Sequence, residues 1–264
     1  MKDATTQMHY VGSEISPEQF IADHTLVYII KGIMNLYDGS EHTTLKAGEY
    51  CIARKNRLGR FNKTKVDGEL EKVFVFFDEA FLRRFQEKHK SKLVKFTSAA
   101  TLVSVSKNEL LPGFIHSLLP YYSHGVIQEA FADVKREELM IILLQSQPEL
   151  AGLFFDYGIP EKINIEEFMN RNYKFNVSME RFAYLTGRSL SAFKRDFKTI
   201  FKETPGRWLV QKRLQEAYFL IDKKNHKPSE IYFDLGFEDL SHFSFAFKKV
   251  FGMAPTELTI GKKR

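Results

Sequence analysis

Residues 236–255 read GFEDLSHFSFAFKKVFGMAP, and residues 187–206 read GRSLSAFKRDFKTIFKETPG. Phenylalanines stand at 193, 197 and 201 in one stretch and at 243, 247 and 251 in the other. A spacing of four puts each trio on a single helix stripe, the pattern of a buried face. Working outward, residues 178–208 align with 228–258 at an offset of 50 without gaps. Glu180 falls on Glu230, Leu185 on Leu235, Leu190-Ser191 on Leu240-Ser241, Lys198 on Lys248 and Pro205 on Pro255. An offset of that size marks a duplicated supersecondary unit rather than heptad drift.

Each copy parses alike. A short helix starts near Ser178 or Pro228, residue types that favour helix beginnings. It stops in LTGRS or LGFED, where Gly187 or Gly236 gives the turn its conformational freedom. A second helix is expected over 189–201 or 239–251, with a proline just past its end. Two helices joined through a short glycine-containing turn make a helix-turn-helix. Between the copies, PGRWLVQKRLQEAYFLIDKK reads as one long amphipathic helix able to join them rigidly.

With the phenylalanines assigned to the core, the opposite face of the first copy holds Ser191, Lys194, Arg195 and Lys198, spaced i, i+3, i+4 and i+7. In the second copy Ser241, His242, Phe245, Lys248 and Lys249 lie off the stripe. Such a face suits a DNA major groove, where arginine makes paired hydrogen bonds to guanine and lysine or serine meets bases or phosphates. Charge agrees: residues 171–264 carry 19 Lys+Arg against 10 Asp+Glu, a net of +9, and the remainder carries −3. The C-terminal third is thus the part expected to meet a polyanion.

The preceding residues read differently. HTLVYIIKG, two runs flanking Asp38-Gly39, and ELEKVFVFF suggest short strands, with a hairpin at Asp38-Gly39 and a turn at Lys46-Ala47-Gly48. Strands so closely spaced predict a small antiparallel barrel or sandwich. The period then becomes helical. Asp78 is the expected N-cap of EAFLRRFQEKH, and Ser106 with Glu109 form a capping-box pattern before LLPGFIHSLLPYY. EAFADVKREELMIILLQ is apolar nearly all round from Leu139 to Leu144, which demands cover from the same chain or from a second subunit. A break falls near DYGIPEKIN.

Little points to an enzyme. His24 and His42 stand alone, without the clustered His and carboxylate ligands of a metal-dependent barrel, and read as structural or surface residues. The single cysteine, Cys51, forms no disulfide framework, fits a reducing compartment and reads as a small buried hydrophobe. No P-loop, nucleophile elbow or dinucleotide fingerprint occurs. No catalytic residue, metal or cofactor is therefore expected. No apolar run suits a signal peptide or a membrane span, so a cytoplasmic location is expected.

GFEDLSHFSFAFKKVFGMAPTEL resembles the C-terminal signature of AraC/XylS-type bacterial transcription regulators, and FAYLTGRSLSAFKRDFKTIFKETPGRWL resembles the first helix-turn-helix of that domain. The resemblance implies two recognition helices entering successive major grooves. It implies base-reading roles for Ser191, Lys194 and Arg195 and, in the second helix, Ser241, His242 and Phe245, the last a departure from the usual polar reader. Lys198, Lys248 and Lys249 are implied phosphate contacts. The N-terminal half is similar to the cupin-like sensor of such regulators, and HTLVYIIKG, LKAGEYCIARKN and EKVFVFFDEAFLRRF are similar to the subgroup with type III secretion activators.

The expected fold class is therefore α+β. Residues 1–160 form a cupin-like antiparallel β-barrel with a helical dimerisation segment, and residues 161–264 form an all-α domain of two helix-turn-helix units joined by a long helix. The implied partners are double-stranded DNA, RNA polymerase, a second copy of the chain, and a small-molecule effector that controls DNA binding through the N-terminal sensor, with a protein partner as the alternative effector. An architectural DNA binder without sensing is the remaining alternative, and it leaves the first 170 residues unexplained.

Overall fold

The computed structural model describes residues 6–11, 19–63, 70–91, 94–123 and 126–260, in two compact units, residues 1–158 and 159–264. The first unit begins with strands β1 (Thr6–Val11), β2 (Phe20–Ile21), β3 (His24–Lys31), β4 (Ile33–Tyr37), β5 (His42–Lys46), β6 (Tyr50–Ala53), β7 (Arg57–Leu58), β8 (Arg60–Lys63) and β9 (Leu70–Phe77). Then come α1 (Glu79–His89), β10 (Leu102–Ser104), α2 (Leu110–Leu118), β11 (Tyr122–Ser123), β12 (Val126–Ile127), α3 (Glu129–Ser146) and α4 (Ala151–Phe154).

The hairpin at Asp38-Gly39 joins β4 to β5, with Tyr37 paired to His42. Asp38 holds the turn by accepting from the Ser40 and Glu41 backbone N–H groups, each at 2.9 Å, and Gly39 takes a φ of 101° that an L side chain resists. The strands lie in three sheets: seven strands in the order β10-β6-β3-β9-β1-β12-β11, three in the order β5-β4-β8, and the pair β2-β7. The large sheet is mixed, because β1 runs parallel to both β9 and β12 while the other pairs are antiparallel. Among the described residues the ladder of the large sheet ends at β10 and β11, and the parallel pairing of β1 departs from the all-antiparallel barrel or sandwich expected from strand spacing.

Alternate residues of the central strands point into two cores. Leu26, Ile52, Val73, Val75 and Phe77 join Phe81, Phe85, Leu111, Phe114, Leu139 and Leu143 on the helical side. Val27, Ile29, Cys51, Phe74 and Phe76 join Met34, Leu36 and Leu45 on the other. This period-2 division explains why β3 and β9 read as continuous apolar runs, since both of their faces are covered. The Leu139–Leu144 run is accounted for in the same way: Leu139, Met140, Ile142 and Leu143 are buried within the unit. The outer side of α3 instead exposes Phe131 and Val134.

Asp78 caps α1 as expected, accepting from Phe81 N–H at 2.9 Å. Burial works against its ionisation, but that bond and the Arg136 guanidinium prevail and hold the carboxyl below its ordinary value. The capping box before α2 does not form. Glu109 makes no side-chain cap, and Asn108 accepts from Leu110 N–H at 2.7 Å instead. Among the described residues no helix is long and apolar enough to cross a membrane.

The second unit is helical: α5 (Ile165–Asn172), α6 (Met179–Leu185), α7 (Leu190–Phe201), α8 (Pro205–Lys224), α9 (Pro228–Ile231), α10 (Leu240–Phe251) and α11 (Pro255–Ile260). The duplicated pattern thus folds as α6–α7 and α9–α10 with α8 between them. The copies differ in that α9 is only four residues long and continues as turns to Gly236.

Candidate nucleic-acid interface

Both helix-turn-helix units close with the same hydrogen bonds. Arg188 N–H donates to the Ala183 carbonyl at 3.0 Å and Gly187 N–H to Tyr184 at 2.9 Å. In the second copy Phe237 N–H donates to Tyr232 at 3.1 Å and Gly236 N–H to Phe233 at 3.0 Å. This nested pair of bonds ends a helix through a left-handed residue. Gly187 and Gly236 take φ values of 67° and 87°. Neither has room for a side chain: a Cβ on Gly187 would lie 2.4 Å from the Glu161 carbonyl carbon, and one on Gly236 would lie 2.7 Å from the Lys174 oxygen.

Side chains then start the recognition helices. Ser189 accepts from Ala192 N–H at 3.3 Å at the head of α7, and Asp239 accepts from His242 N–H at 2.6 Å at the head of α10. Phe193, Phe197, Phe243 and Phe247 are fully buried. Each fully buried ring contributes about 1.5–3 kcal/mol, and these four fix the rotation of the two helices about their axes. The long helix α8 seats both. Trp208 near its start meets Phe197 and Phe201, at 5.7 and 4.7 Å between ring centroids, and Tyr218 farther along meets Phe247 and Phe251 at 6.3 and 5.0 Å.

With that rotation fixed, Ser191, Lys194, Arg195 and Lys198 all lie exposed on α7, and Ser241, His242, Phe245, Lys248 and Lys249 all lie exposed on α10. Arg195 leans on Asp196 at 3.2 Å while keeping 75% of its side chain in solvent. Asp196 is held below its ordinary range first by Arg188, whose Nε donates to it at 3.1 Å, and then by Arg195. These faces carry hydrogen-bond donors and cations suited to base edges and phosphates.

Three residues that position this face were not singled out from the sequence. Arg188 ties the first turn to Asp196 and to the carbonyl oxygens of Ile163 and Thr186, at 2.9 and 2.6 Å. Trp208 is the anchor under α7. Arg213, on α8, is buried and donates to the carbonyl oxygens of Tyr173, Gly236 and Phe175 at 2.7, 2.8 and 2.8 Å. Composition gives no sign of the last, since a basic residue on an amphipathic helix ordinarily reads as solvated.

Of the three residues raised for the enzyme reading, all in the first unit, His42 lies exposed on β5 and stacks on Tyr37 at 4.7 Å. His24 is buried, and burial and then the nearby cations Lys55, Arg54 and Arg57 lower its pKa to about 3. Burial raises the Cys51 thiol to about 12, which leaves it a neutral packing group.

Two helix-turn-helix units on a shared helix, each presenting one polar and basic face, define a DNA-binding transcription regulator. Residues 182–259 match the helix-turn-helix domain family and residues 24–153 match the ExsA N-terminal regulatory domain family. The chain belongs to the AraC/XylS-type bacterial transcription regulators, with a first unit of the ExsA N-terminal regulatory domain family. It is 22% identical over 244 residues to the virulence regulon transcriptional activator VirF of Yersinia enterocolitica, covering 90% of this chain and 89% of VirF. It is 23% identical over 243 residues to the HTH-type transcriptional regulator ExsA of Pseudomonas aeruginosa, covering 89% and 86%. Among solved structures, the apo form of a ToxT point variant from Vibrio cholerae aligns over 92% of this chain and 90% of its own at 14% identity, with a TM-score of 0.44.

Proposed function

We propose that the protein is a sequence-specific transcription activator that reads DNA with α7 and α10 and is governed through its first unit. Ser191, Lys194, Arg195, Ser241, His242 and Phe245 read bases, and Lys198, Lys248 and Lys249 hold phosphates. The observation carrying this reading is the repeated geometry: the same buried phenylalanine stripe turns the same face of each helix outward. Activation is supported by the names of VirF and of RhaS from Escherichia fergusonii, both called transcriptional activators. An activator acts on RNA polymerase at the promoter, which puts its work in the bacterial cytoplasm with the chromosome.

A protein partner is the effector best supported. Among the described residues, apolar clusters pack on both faces of the central strands, and such a filled core suits a surface that meets a protein. A small-molecule effector is favoured by a cleft of about 370 Å³ beside β10, where Lys95 and Glu149 offer opposite charges. A homodimer through the outer side of α3 is supported by exposed Phe131 and Val134.

Selection of duplexes from a random library by the full chain, with affinity then measured by fluorescence anisotropy, tests the central reading. A defined motif bound at least about a thousandfold tighter than random sequence is expected. Equal affinity for all duplexes overturns it in favour of an architectural DNA binder.

A further inference from the structure

The exposed face of α7 recurs on α10 at the offset of 50: Ser191 with Ser241, Arg195 with Phe245, and Lys198 with Lys248. The duplication therefore sets a phenylalanine where the first copy sets a guanidinium. Both side chains stand clear of the unit, Phe245 being 70% exposed. Its neighbours on the stripe, Phe243 and Phe247, are fully buried, so the helix rotation that hides them is what drives Phe245 outward. Ser241, His242, Lys248 and Lys249 surround it with polar and cationic groups. A large ring held in water inside a polar rim marks a contact surface.

The major groove offers such a ring one apolar partner, the C5-methyl of thymine, which no other base carries in unmodified DNA. Wedging between stacked bases belongs to proteins in the minor groove, where a recognition helix does not fit. Lys248 lies three residues from Phe245 and Lys249 four, on adjoining faces of α10, near enough to hold the backbone while the ring meets a base edge.

We propose that Phe245 specifies thymine through its methyl group in the half-site met by α10. The two copies then read different chemistry from one helix position, guanine hydrogen-bond acceptors at Arg195 and a methyl group at Phe245. The proposal rests on the DNA-reading role of α10.

The test uses the full chain and a duplex that it has selected from a random library. Each thymine is replaced singly by deoxyuridine, which removes the methyl group and keeps the pairing edge. One thymine in one half-site is expected to lose about fourfold in affinity on replacement, the worth of one buried methyl group. For Phe245→Ala the thymine and deoxyuridine duplexes should bind alike, and Phe245→Leu should keep part of the difference. Insensitivity to every replacement overturns the proposal, and so does an unchanged thymine-to-deoxyuridine ratio in Phe245→Ala. A chain that selects no duplex overturns the DNA-reading assignment itself, an outcome distinct from selection without methyl sensitivity.

Discussion

The Arg213 guanidinium clasps the turn of the second helix-turn-helix, its Nη1 donating to the Gly236 carbonyl oxygen at 2.8 Å. The same group reaches Tyr173 and Phe175, so one side chain of α8 joins the loop ahead of α6 to the turn ahead of α10. Burial lowers its pKa to about 10, still well above neutrality, so it folds as a cation whose donors are met by three carbonyl oxygens. Arg213→Leu strands those oxygens and should destabilise the second unit by about 3 kcal/mol. Urea unfolding followed by Trp208 fluorescence measures this; a change under about 0.5 kcal/mol refutes the clasp.

Arg195 and Lys248 should separate specificity from affinity. Arg195→Ala is expected to weaken binding to the selected site by about 1–3 kcal/mol and to relax one base position. Lys248→Ala is expected to weaken binding to all duplexes alike and to lower the slope of log affinity against log salt by about 0.9. Anisotropy titrations across a salt series read both. Unchanged binding of Arg195→Ala to its preferred site removes α7 from the interface.

His24 should make the first unit acid-sensitive. Its ring packs edge-on to Phe154 at 5.6 Å, Lys55 N–H donates to Nδ1 at 3.4 Å, and Nε2 has no hydrogen-bond partner among the described residues. With a folded pKa of about 3 against an ordinary 6.5, the unfolded chain takes up the proton first as pH falls. The stability is therefore whole above pH 6.5 and drains away as pH falls through 3, by on the order of 5 kcal/mol at the limit. Comparing the chain with His24→Leu by thermal melts at pH 7 and pH 4.5 checks this. The variant should lose less on acidification, and parallel losses contradict the assignment.

The outer side of α3 should control self-association. Val134, 63% exposed, lies three residues from exposed Phe131, so the two share one helix face. Val134→Asp is expected to shift a dimer to monomer at micromolar concentration in light scattering without lowering the melting temperature. A wild-type chain that is already monomeric there removes the interface.

How much of this was legible in the sequence differs between the units. The second could be read closely, because its information is local: Phe193, Phe197 and Phe201 lie one turn apart, and the offset of 50 repeats them. The exposed face followed by subtraction. In the first unit β3, β9 and the β4–β5 hairpin were legible from runs and turn residues, but partner choice was not. The parallel pairing of β1 with β9 joins residues more than 60 positions apart, and no local period encodes it. The Leu139–Leu144 run called for cover without showing whose, and packing assigned it to the same chain. Arg213 escaped notice because its three acceptors are backbone atoms, which every sequence has and none displays.

The 20 residues of α8 hold Trp208 against α7 and Tyr218 against α10. A helix turns by about 100° and advances about 1.5 Å for each residue. One residue added between those two anchors would swing α10 by more than a quarter circle relative to α7, and no side-chain adjustment recovers that angle. On the DNA-reading role proposed for α7 and α10, the chain is a fixed-pitch caliper, its jaws set by a residue count and suited only to target sites with the matching helical phase.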